Sequence, residues 1–352
     1  MTNEFELIWL LSVQADGAPC PDKVSAILRE GILDWEQVIA VSSREGVAAI
    51  VYDRLRKNRL ERFVPGPVLS RFESVYYTYS AQNILLFAEL KQIIWELEQA
   101  SVSAITLKGA FLAAVVYENV ALRPMKDLDL LVKKQDVAKA VASLKHSGYL
   151  PIVDVKQQLK DPFAYSVTLQ KENAGINTGV SLDLHWHILN TSWLMGLSAG
   201  SCDMQRIWEA AQPVVINDIR ILALSPEDLL ICLAVNAFTH CYQRIILLVD
   251  FVMVLNHYQG KISWDFVLLR AKDCYLEDIL KYTRTSISGM ALAGKDRSCP
   301  GGGIFKREYR PLRPLLMYIF TRKGAAEKIK AILRLGLVIT SILFKRLEHK
   351  NT

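Results

Sequence analysis

Residues 107–132 read LKGAFLAAVVYENVALRPMKDLDLLV, and this stretch decides the fold. Its apolar, strand-like end carries two carboxylates one residue apart, Asp127 and Asp129. Side chains at positions i and i+2 of a β-strand point to the same face. Both aspartates are therefore expected to project together, whereas Leu128 and Leu130 point to the opposite, buried face.

Two carboxylates this close repel each other strongly unless a cation lies between them. Mg²⁺ prefers such oxygen ligands and usually keeps phosphate oxygens among its others. The alternative for the bare pattern is a solvent-facing edge strand with incidental acids. The preceding residues favour the metal, because Gly109 lies between a β-rich run and a helical one. A residue without Cβ lets the backbone approach a phosphate, and a helix N-terminus offers free N–H groups.

Basic residues gathered around this glycine predict a site for the phosphates of a nucleotide. They are Lys108, Arg123 and Lys126. Taken alone, each is typical of a solvated surface charge. Together with the order strand, glycine, helix and paired aspartates, they indicate a site for a metal-bound nucleotide.

A third acid, Asp183, lies between two leucines in the β-like run SLDLHWHIL. An adjacent strand would bring it beside Asp127 and Asp129, which would complete a two-metal clamp. His185 and His187 share its face by the same alternation. They are candidates for binding the acceptor or a phosphate and for orienting Asp183; the alternative is a pair of hydrogen-bonded structural histidines. A zinc site built from both histidines and Asp183 is a further alternative.

The surrounding pattern predicts an α+β fold, in which a small mixed-sheet core is embedded between N-terminal and C-terminal helical regions. We expect an N-terminal helical region at 1–100, the α/β core at 101–190 and a helical, acceptor-side region at 191–298. Within the core, strands are predicted at 103–107, 127–132, 164–170 and 179–188, with a helix at 135–149 that Gly148 closes. A basic amphipathic tail completes the chain at 299–352.

Within the acceptor-side region, Ser225 and Pro226 form a good helix-capping signature. The long apolar helix that follows, broken once, carries Asn236, His240 and Arg244 at i, i+4 and i+8. These three are expected to form one polar stripe facing the catalytic cleft, where they would bind the acceptor. The alternative is a structural polar network between helices. Asp250 follows them and is expected to reach Arg244 across the bend.

The basic pI is no argument that the main body binds nucleic acid, because the excess of positive charge lies in the C-terminal tail. From residue 301 onward there are 12 Lys and Arg against 3 Asp and Glu, whereas the preceding residues carry 30 against 33. Basic residues flanking apolar segments at 304–347 favour contact with an anionic membrane surface, or packing against the body.

The six cysteines are scattered without a CxxC pair, and Glu4 and Glu6 argue against a secretory signal. We therefore predict a cytoplasmic protein whose tail either contacts a membrane surface peripherally or packs against the body.

The order KG…R…DxDLLV…DLHW resembles the uncharacterised bacterial nucleotidyltransferase family of the DNA polymerase beta-like nucleotidyltransferase superfamily. The resemblance covers about residues 30–290, and its best motifs lie at 107–187. It implies that Asp127, Asp129 and Asp183 are the catalytic, metal-binding carboxylates.

The same resemblance implies that Gly109 is the glycine turn of the nucleotide site, with two departures from the family pattern. Ala110 replaces the usual second glycine or serine, so no hydroxyl contacts phosphate there. Lys126 stands where a serine usually precedes the paired aspartates. Neither departure touches the acids.

The expected function is Mg²⁺-dependent transfer of a nucleoside monophosphate from an NTP to an acceptor hydroxyl or phosphate, with two magnesium ions and release of pyrophosphate. The acceptor would be a peptide, protein, sugar, small molecule or RNA end. The first alternative is a catalytically silent nucleotide-binding protein of regulatory or toxin–antitoxin type. A membrane-surface scaffold with a purely structural core is the second.

Overall fold

A seven-stranded mixed sheet runs through the residues that the computed structural model describes, which are 2–30, 32–161, 164–172, 179–189, 202–274 and 276–292. The strands are β1 Ala104–Thr106, β2 Asp127–Val132, β3 Leu150–Pro151, β4 Ser166–Lys171, β5 Val180–His185, β6 Gln212–Ile216 and β7 Ile219–Ala223. Their order is β3-β4-β5-β2-β1-β7-β6. The pairs β2–β5 and β1–β7 are parallel, and the other neighbours are antiparallel.

Helices precede and follow the sheet, as the predicted α+β fold requires, and the fold class is confirmed. The helices before and between the strands are α1 Asn3–Val13, α2 Asp22–Glu30, α3 Trp35–Glu45, α4 Ala48–Lys57, α5 Gly66–Gln99, α6 Lys108–Phe111, α7 Val137–Leu144, α8 Val155–Lys160 and α9 Met204–Ala210. Those after β7 are α10 Pro226–Thr239, α11 Ile245–His257, α12 Trp264–Asp273 and α13 Glu277–Leu292. Short 3-10 turns occupy Glu61–Phe63, Lys134–Asp136 and Lys145–Ser147, and a π-turn continues α6 over Leu112–Val116.

Local sequence signals explain several of these elements. Asp34 caps α3 by accepting a hydrogen bond from the backbone N–H of Gln37, and Gly46 ends that helix with φ +79°. Glycine adopts this left-handed conformation without steric cost, so a sharp turn into α4 follows. Ser225 caps α10 by accepting from the N–H of Asp228, with Pro226 at the first helical position. The helix start predicted at Ser225 is therefore confirmed.

The hairpin β6–β7 lies in the range 191–298, which the sequence pattern had assigned to helices alone. Its turn residues Asn217 and Asp218 have φ +45° and +65°. Asn and Asp tolerate such values better than other side chains, and two-residue hairpin turns require them. Strand β7 then pairs with β1, so the sheet extends beyond the predicted core of 101–190. The division of the chain into four regions at these boundaries stays a prediction.

One hydrophobic core joins the N-terminal helices, the sheet and the C-terminal helices. Helix α1 packs against both α4 and α11, and α5 packs against α7 and β2. Among the described residues, no helix is both long and apolar enough to cross a lipid bilayer. The basic tail at 299–352, including the segment 304–347 that is predicted to contact a membrane, lies outside the described residues. Cytoplasmic location and membrane contact stay predictions.

Asn83 on α5 holds the loop that leads into β2. Its side chain is fully buried and donates hydrogen bonds to the carbonyl oxygens of Val120 and Arg123, at 2.5 and 2.8 Å. Its amide oxygen accepts from the N–H of Met125 at 3.3 Å. Backbone polar groups in a buried loop need such partners. Asn83 therefore takes the place of secondary structure for the residues just before the paired aspartates.

We expect Asn83→Ala to lower the free energy of unfolding by about 2 to 4 kcal/mol, because it leaves three buried backbone groups without partners. Urea denaturation followed by circular dichroism measures this. Gln82→Ala is the matched control, since Gln82 is the exposed neighbour on the same helix and should change stability little. Equal stability of the two variants would show that the loop does not depend on this clamp.

Candidate active site

The parallel pairing of β2 with β5 brings the distant acidic motifs together. Asp129 is directly opposite Asp183, and Leu131 is opposite His185. Strand β4 pairs with β5 from the other side, where Thr168 is opposite Asp183. Because alternate residues share a face, one face of these three strands carries the polar groups. The opposite face carries buried leucines.

Asp129, Asp183 and His185 form a cluster whose ligand atoms all lie within 4.8 Å of one another. His185 Nε2 is hydrogen-bonded to Asp129 Oδ1 at 2.8 Å. On the other carboxylate, Thr168 Oγ1 donates to Asp183 Oδ1 at 2.5 Å. His185 thus orients Asp129, and Thr168 orients Asp183. Two carboxylates and an imidazole in this arrangement are a donor set suited to a divalent cation.

Asp127 lies at the exposed start of β2, outside the 4.8 Å cluster. Partial desolvation raises the pKa of the Asp127 carboxyl, and the charges of Asp129 and Asp183 raise it further. Burial would also raise the pKa of Asp129, but Lys108 and the hydrogen bond from His185 hold that pKa well below its usual range. The site therefore contains one firmly ionised carboxylate next to one whose charge its neighbours oppose. A bound cation would relieve that repulsion.

Lys108 supplies positive charge to this cluster. It follows β1 at the start of α6 with φ +31°, a backbone conformation that non-glycine residues rarely adopt. Its Nζ lies 3.6 Å from Asp129 Oδ1. Burial would lower the pKa of the ammonium, but the Asp129 carboxylate raises it above its ordinary value. Lys108 therefore stays charged, with its side chain directed at the predicted metal site.

Gly109 lies where α6 packs closely against the loop before β2. A Cβ at this position would lie 3.3 Å from Met125 Cγ and Sδ and 3.4 Å from Arg123 Nη1. The absence of a side chain thus lets the chain approach Arg123. Ala110 is buried in the same short helix, and Lys126 is exposed beside Asp127.

Arg123 is held by a buried carboxylate on α11. Its Nη2 lies 2.9 Å from Oδ2 of Asp250, whose side chain is fully buried. Tyr117 donates a hydrogen bond to Asp250 Oδ1 at 2.8 Å. Arg123 also donates from Nη1 to the carbonyl oxygen of Pro124 at 2.9 Å. Asp250 therefore pairs with Arg123 and Tyr117, and the expectation that it reaches Arg244 is wrong.

The predicted polar stripe on one helix is also wrong, because the helix ends within it. Asn236 is the half-buried member on α10, whereas His240 is its exposed C-cap. Arg244 precedes α11 in an extended conformation. Cys241 and Tyr242, with φ +52° and +51°, turn the chain between the two helices.

His240 lies near the charges of Lys108 and Asp129, whereas Arg244 lies against the N-terminal helices. Burial lowers the pKa of His240, with Lys108 and Arg244 acting in the same direction and Asp129 opposing them. His240 is therefore within electrostatic reach of the carboxylate cluster. A Cβ on Gly46 would lie 2.5 Å from Arg244 Nη2, which places that guanidinium at the turn between α3 and α4. Their role in acceptor binding stays a prediction.

His187 does not belong to the metal-ligand cluster. Its Nδ1 accepts a hydrogen bond from the N–H of Leu189 at 3.1 Å. Strand β5 ends at His185, so strict alternation along the strand does not extend to His187. A zinc site that uses both histidines with Asp183 therefore has no support from the described geometry.

The sequence patterns missed the groups that orient the site. Thr168 lies in a predicted strand, but only its pairing with β5 places its hydroxyl on Asp183. Tyr165, whose ring centroid lies 5.7 Å from that of His185, was missed for the same reason. Tyr117 and Asn83 likewise act through contacts between segments far apart in the chain. A polar residue inside an apolar run was the available signal at each position.

Comparison with known proteins gives the class. The model of the family described as uncharacterised nucleotidyltransferase matches residues 32–288, well over half of the chain, so the protein belongs to this family. It is a nucleotidyltransferase, an enzyme class that transfers nucleoside monophosphates. Among proteins with curated descriptions, none matches this chain.

Two solved structures share a more distant likeness. One is the solution structure of the antibiotic-resistance factor ANT(2'')-Ia, at 13% identity and a TM-score of 0.36, covering 60% of this chain and 98% of that one. Another is a crystal structure of an antigenic nucleotidyltransferase-like protein from Paracoccidioides brasiliensis, at 13% identity and a TM-score of 0.32, covering 59% and 93%. Scores this low carry no inference about substrates, and the family assignment rests on the family model alone.

We expect Asp250→Ala to lower the free energy of unfolding by about 3 to 5 kcal/mol, because it leaves the largely buried charge of Arg123 without its partner. Chemical denaturation measures the loss. Glu36→Ala is the control, since it removes the partner of Arg71 in an exposed ion pair and should cost about 1 kcal/mol or less. Losses of equal size would mean that Asp250 does not anchor Arg123.

Proposed function

We propose that this protein transfers a nucleoside monophosphate from an NTP to an acceptor hydroxyl or phosphate in a Mg²⁺-dependent reaction. The observation that carries the proposal is the cluster of Asp129, Asp183 and His185 on paired strands, with Lys108 beside it. In the reaction, an acceptor oxygen bonds to the α-phosphorus while the bond to the bridging oxygen breaks. Pyrophosphate leaves, and the acceptor proton passes to a base.

The donor atoms favour Mg²⁺ over zinc. With a carboxylate as acceptor, the hydrogen of the 2.8 Å bond lies on His185 Nε2, so this nitrogen is engaged with Asp129. Carboxylate oxygens then remain as the ligands, which suits a hard cation. Asp129 and Asp183 would hold one ion, and Asp127 would share a second with Asp129. Bound magnesium supplies charge neutralisation for phosphate oxygens and lowers the pKa of an acceptor hydroxyl.

The remaining residues have roles that follow from their chemistry. His185 orients Asp129, and Thr168 orients Asp183, which is either a metal ligand or the acceptor of the proton. Lys108 and Arg123 offer cations to the triphosphate, with Lys126 at the exposed entrance. Fixed cations of this kind stabilise charge that develops on phosphate oxygens in the transition state. Gly109 and Ala110 keep the backbone close to those groups.

The acceptor is a peptide, protein, sugar, small molecule or RNA end, and His240, Asn236 and Arg244 are the residues proposed on its side. A labelled-nucleotide screen against fractionated lysate identifies which class incorporates label. Mg²⁺-dependent NTP binding without pyrophosphate release on any acceptor would favour the catalytically silent alternative.

Asp129→Asn is expected to lower Mg²⁺-dependent pyrophosphate release by at least about 100-fold with the fold retained, because the neutral amide removes the central charge of the metal site. Release is measured with labelled NTP and the lysate fraction that gives incorporation with wild-type protein. Asp218→Asn is the matched control, since it makes the same chemical change at the exposed β6–β7 turn. Turnover of Asp129→Asn equal to that of the control would refute the assignment.

Thr168→Val should weaken metal binding by about 10- to 100-fold, because it removes the hydroxyl that orients Asp183 at nearly constant volume. Titration with Mn²⁺ followed by electron paramagnetic resonance measures the affinity without any substrate. Thr168→Ser keeps the hydroxyl and should retain most of the affinity. If the Thr168→Val variant binds Mn²⁺ as tightly as the Thr168→Ser variant, then the hydroxyl does not orient Asp183 for metal binding.

A further inference from the structure

A cavity of about 790 Å³ lies at the ends of the same two strands that carry the acidic cluster. Lys133 and Lys134 follow the last residue of β2, and Trp186 and His187 follow the last residue of β5. The two strands are parallel, so their carboxyl ends meet at one edge of the sheet. Among the described residues, the lining also includes Trp208 on α9 and Glu209 beside it.

This cavity is separate from the carboxylate cluster. None of Asp127, Asp129 and Asp183 lines it. A strand rises roughly 3.3 Å per residue, so the step from Asp129 to Lys133 spans about 13 Å. The volume of the cavity is in the usual range for small-molecule sites. Its place also fits, because α/β sheets commonly bind ligands at the carboxyl ends of parallel strands.

Two indole rings, each paired with a lysine, dominate the chemistry of the cavity. Lys133 Nζ lies 5.6 Å from the ring centroid of Trp208, and Lys134 Nζ lies 5.8 Å from that of Trp186. The Trp186 indole N–H donates to the carbonyl oxygen of Ala164 at 3.0 Å, which fixes the ring. Trp186 is buried and forms part of the wall, whereas the half-buried Trp208 has ring surface that can stack on a planar ring.

The charges of the cavity favour an anionic ligand. The contacts of the two lysine ammonium groups within the described residues are with the tryptophan rings. The acid in the lining, Glu209, accepts a hydrogen bond from Gln205 Nε2 at 2.9 Å. Two lysines against one carboxylate leave net positive charge beside the aromatic faces. An ammonium on a flexible stem can turn from a ring to a phosphate oxygen, which it binds more strongly.

We propose that this cavity binds a planar ring that carries a phosphate, of the nucleoside monophosphate type, as the anchoring part of the acceptor. The role as acceptor rests on the proposed transfer reaction, whereas the binding itself does not. The donor base is a poorer fit, because an uncharged base leaves both lysines without an anion. An acceptor anchored here and extended by about 13 Å along the strands would reach the carboxylate cluster.

The binding is tested by calorimetry with 5′-AMP as the probe, using full-length Asp129→Asn protein in EDTA so that the metal site takes no part. We expect saturable binding that is at least about 10-fold tighter than for adenosine, for inorganic phosphate or for glucose 6-phosphate. Adenosine lacks the anion, whereas the other two lack the planar ring. No saturable binding of AMP, or equal binding of adenosine, would overturn the proposal.

Variants locate the binding and control for charge. Lys133→Ala with Lys134→Ala should weaken AMP binding by at least about 10-fold, because both cations are lost. Both residues are exposed, so the fold should persist. Lys139→Ala with Lys145→Ala removes the same charge from exposed positions on α7 and at its end, and should leave binding unchanged. Equal affinities of the two double variants would place AMP elsewhere and overturn the proposal.

The acceptor role is tested separately on wild-type protein with Mg²⁺ and a non-hydrolysable NTP analogue. Simultaneous binding of the analogue and AMP is expected, because the two sites are distinct. Displacement of AMP by the analogue would assign the cavity to the donor nucleotide and overturn the acceptor role. AMP binding that persists while no transfer is found on any acceptor would leave the cavity in place and refute only the proposed reaction.

Discussion

The register between β2 and β5 is the constraint on which the site depends. It places Asp129 opposite Asp183, so residues more than 50 positions apart meet as like charges. Such a pairing is unfavourable by itself, because burial and mutual repulsion both disfavour the ionised carboxylates. A one-residue slip would turn every side chain of β2 to the other face. The leucines that alternate with the aspartates prevent this, since a slip would expose them. Burial of these leucines thus holds Asp129 and Asp183 side by side despite their mutual repulsion.

Several cations and donors offset that cost. Lys108 approaches Asp129 from the β1 side, His185 donates to the same carboxylate and Thr168 donates to Asp183. Arg123 adds positive charge from the preceding loop, and Asp250 on α11 fixes its position. Asn83 holds the backbone of that loop. The C-terminal helices are therefore part of the support for the site, since the partner of Arg123 comes from them.

Much of the site could be predicted from the sequence, because its central signals are local. Alternation along DLDLLV and SLDLH defines which residues share a face, and this needs no knowledge of the fold. The orienting contacts of Thr168 and Tyr117 depend on strand neighbours and on helix packing, which no local pattern specifies. The same reason explains the pairing of Asp250 with Arg123. Asn217-Asp218 is a recognisable turn signal, but the β6–β7 hairpin was missed. The reason is that the apolar composition around the turn is similar to that of the neighbouring helical segments. The predicted break in the long helix is present, but it falls at Cys241 and Tyr242, before Arg244, where neither glycine nor proline marks it.

Lys108 connects the carboxylate cluster to the proposed reaction. Its ammonium is held by Asp129 at 3.6 Å, which is the carboxylate that a metal would also use. A divalent cation competes for the same charge more strongly than a monovalent one does. In the proposed reaction, a bound metal would therefore weaken the hold of Asp129 on Lys108, and the ammonium would be available to the phosphates of the NTP. Lys108 has an unusual backbone conformation, with φ +31°, at the position from which its side chain reaches Asp129. Under the proposed mechanism, the ammonium that pairs with Asp129 would thus become a contact to the substrate phosphates.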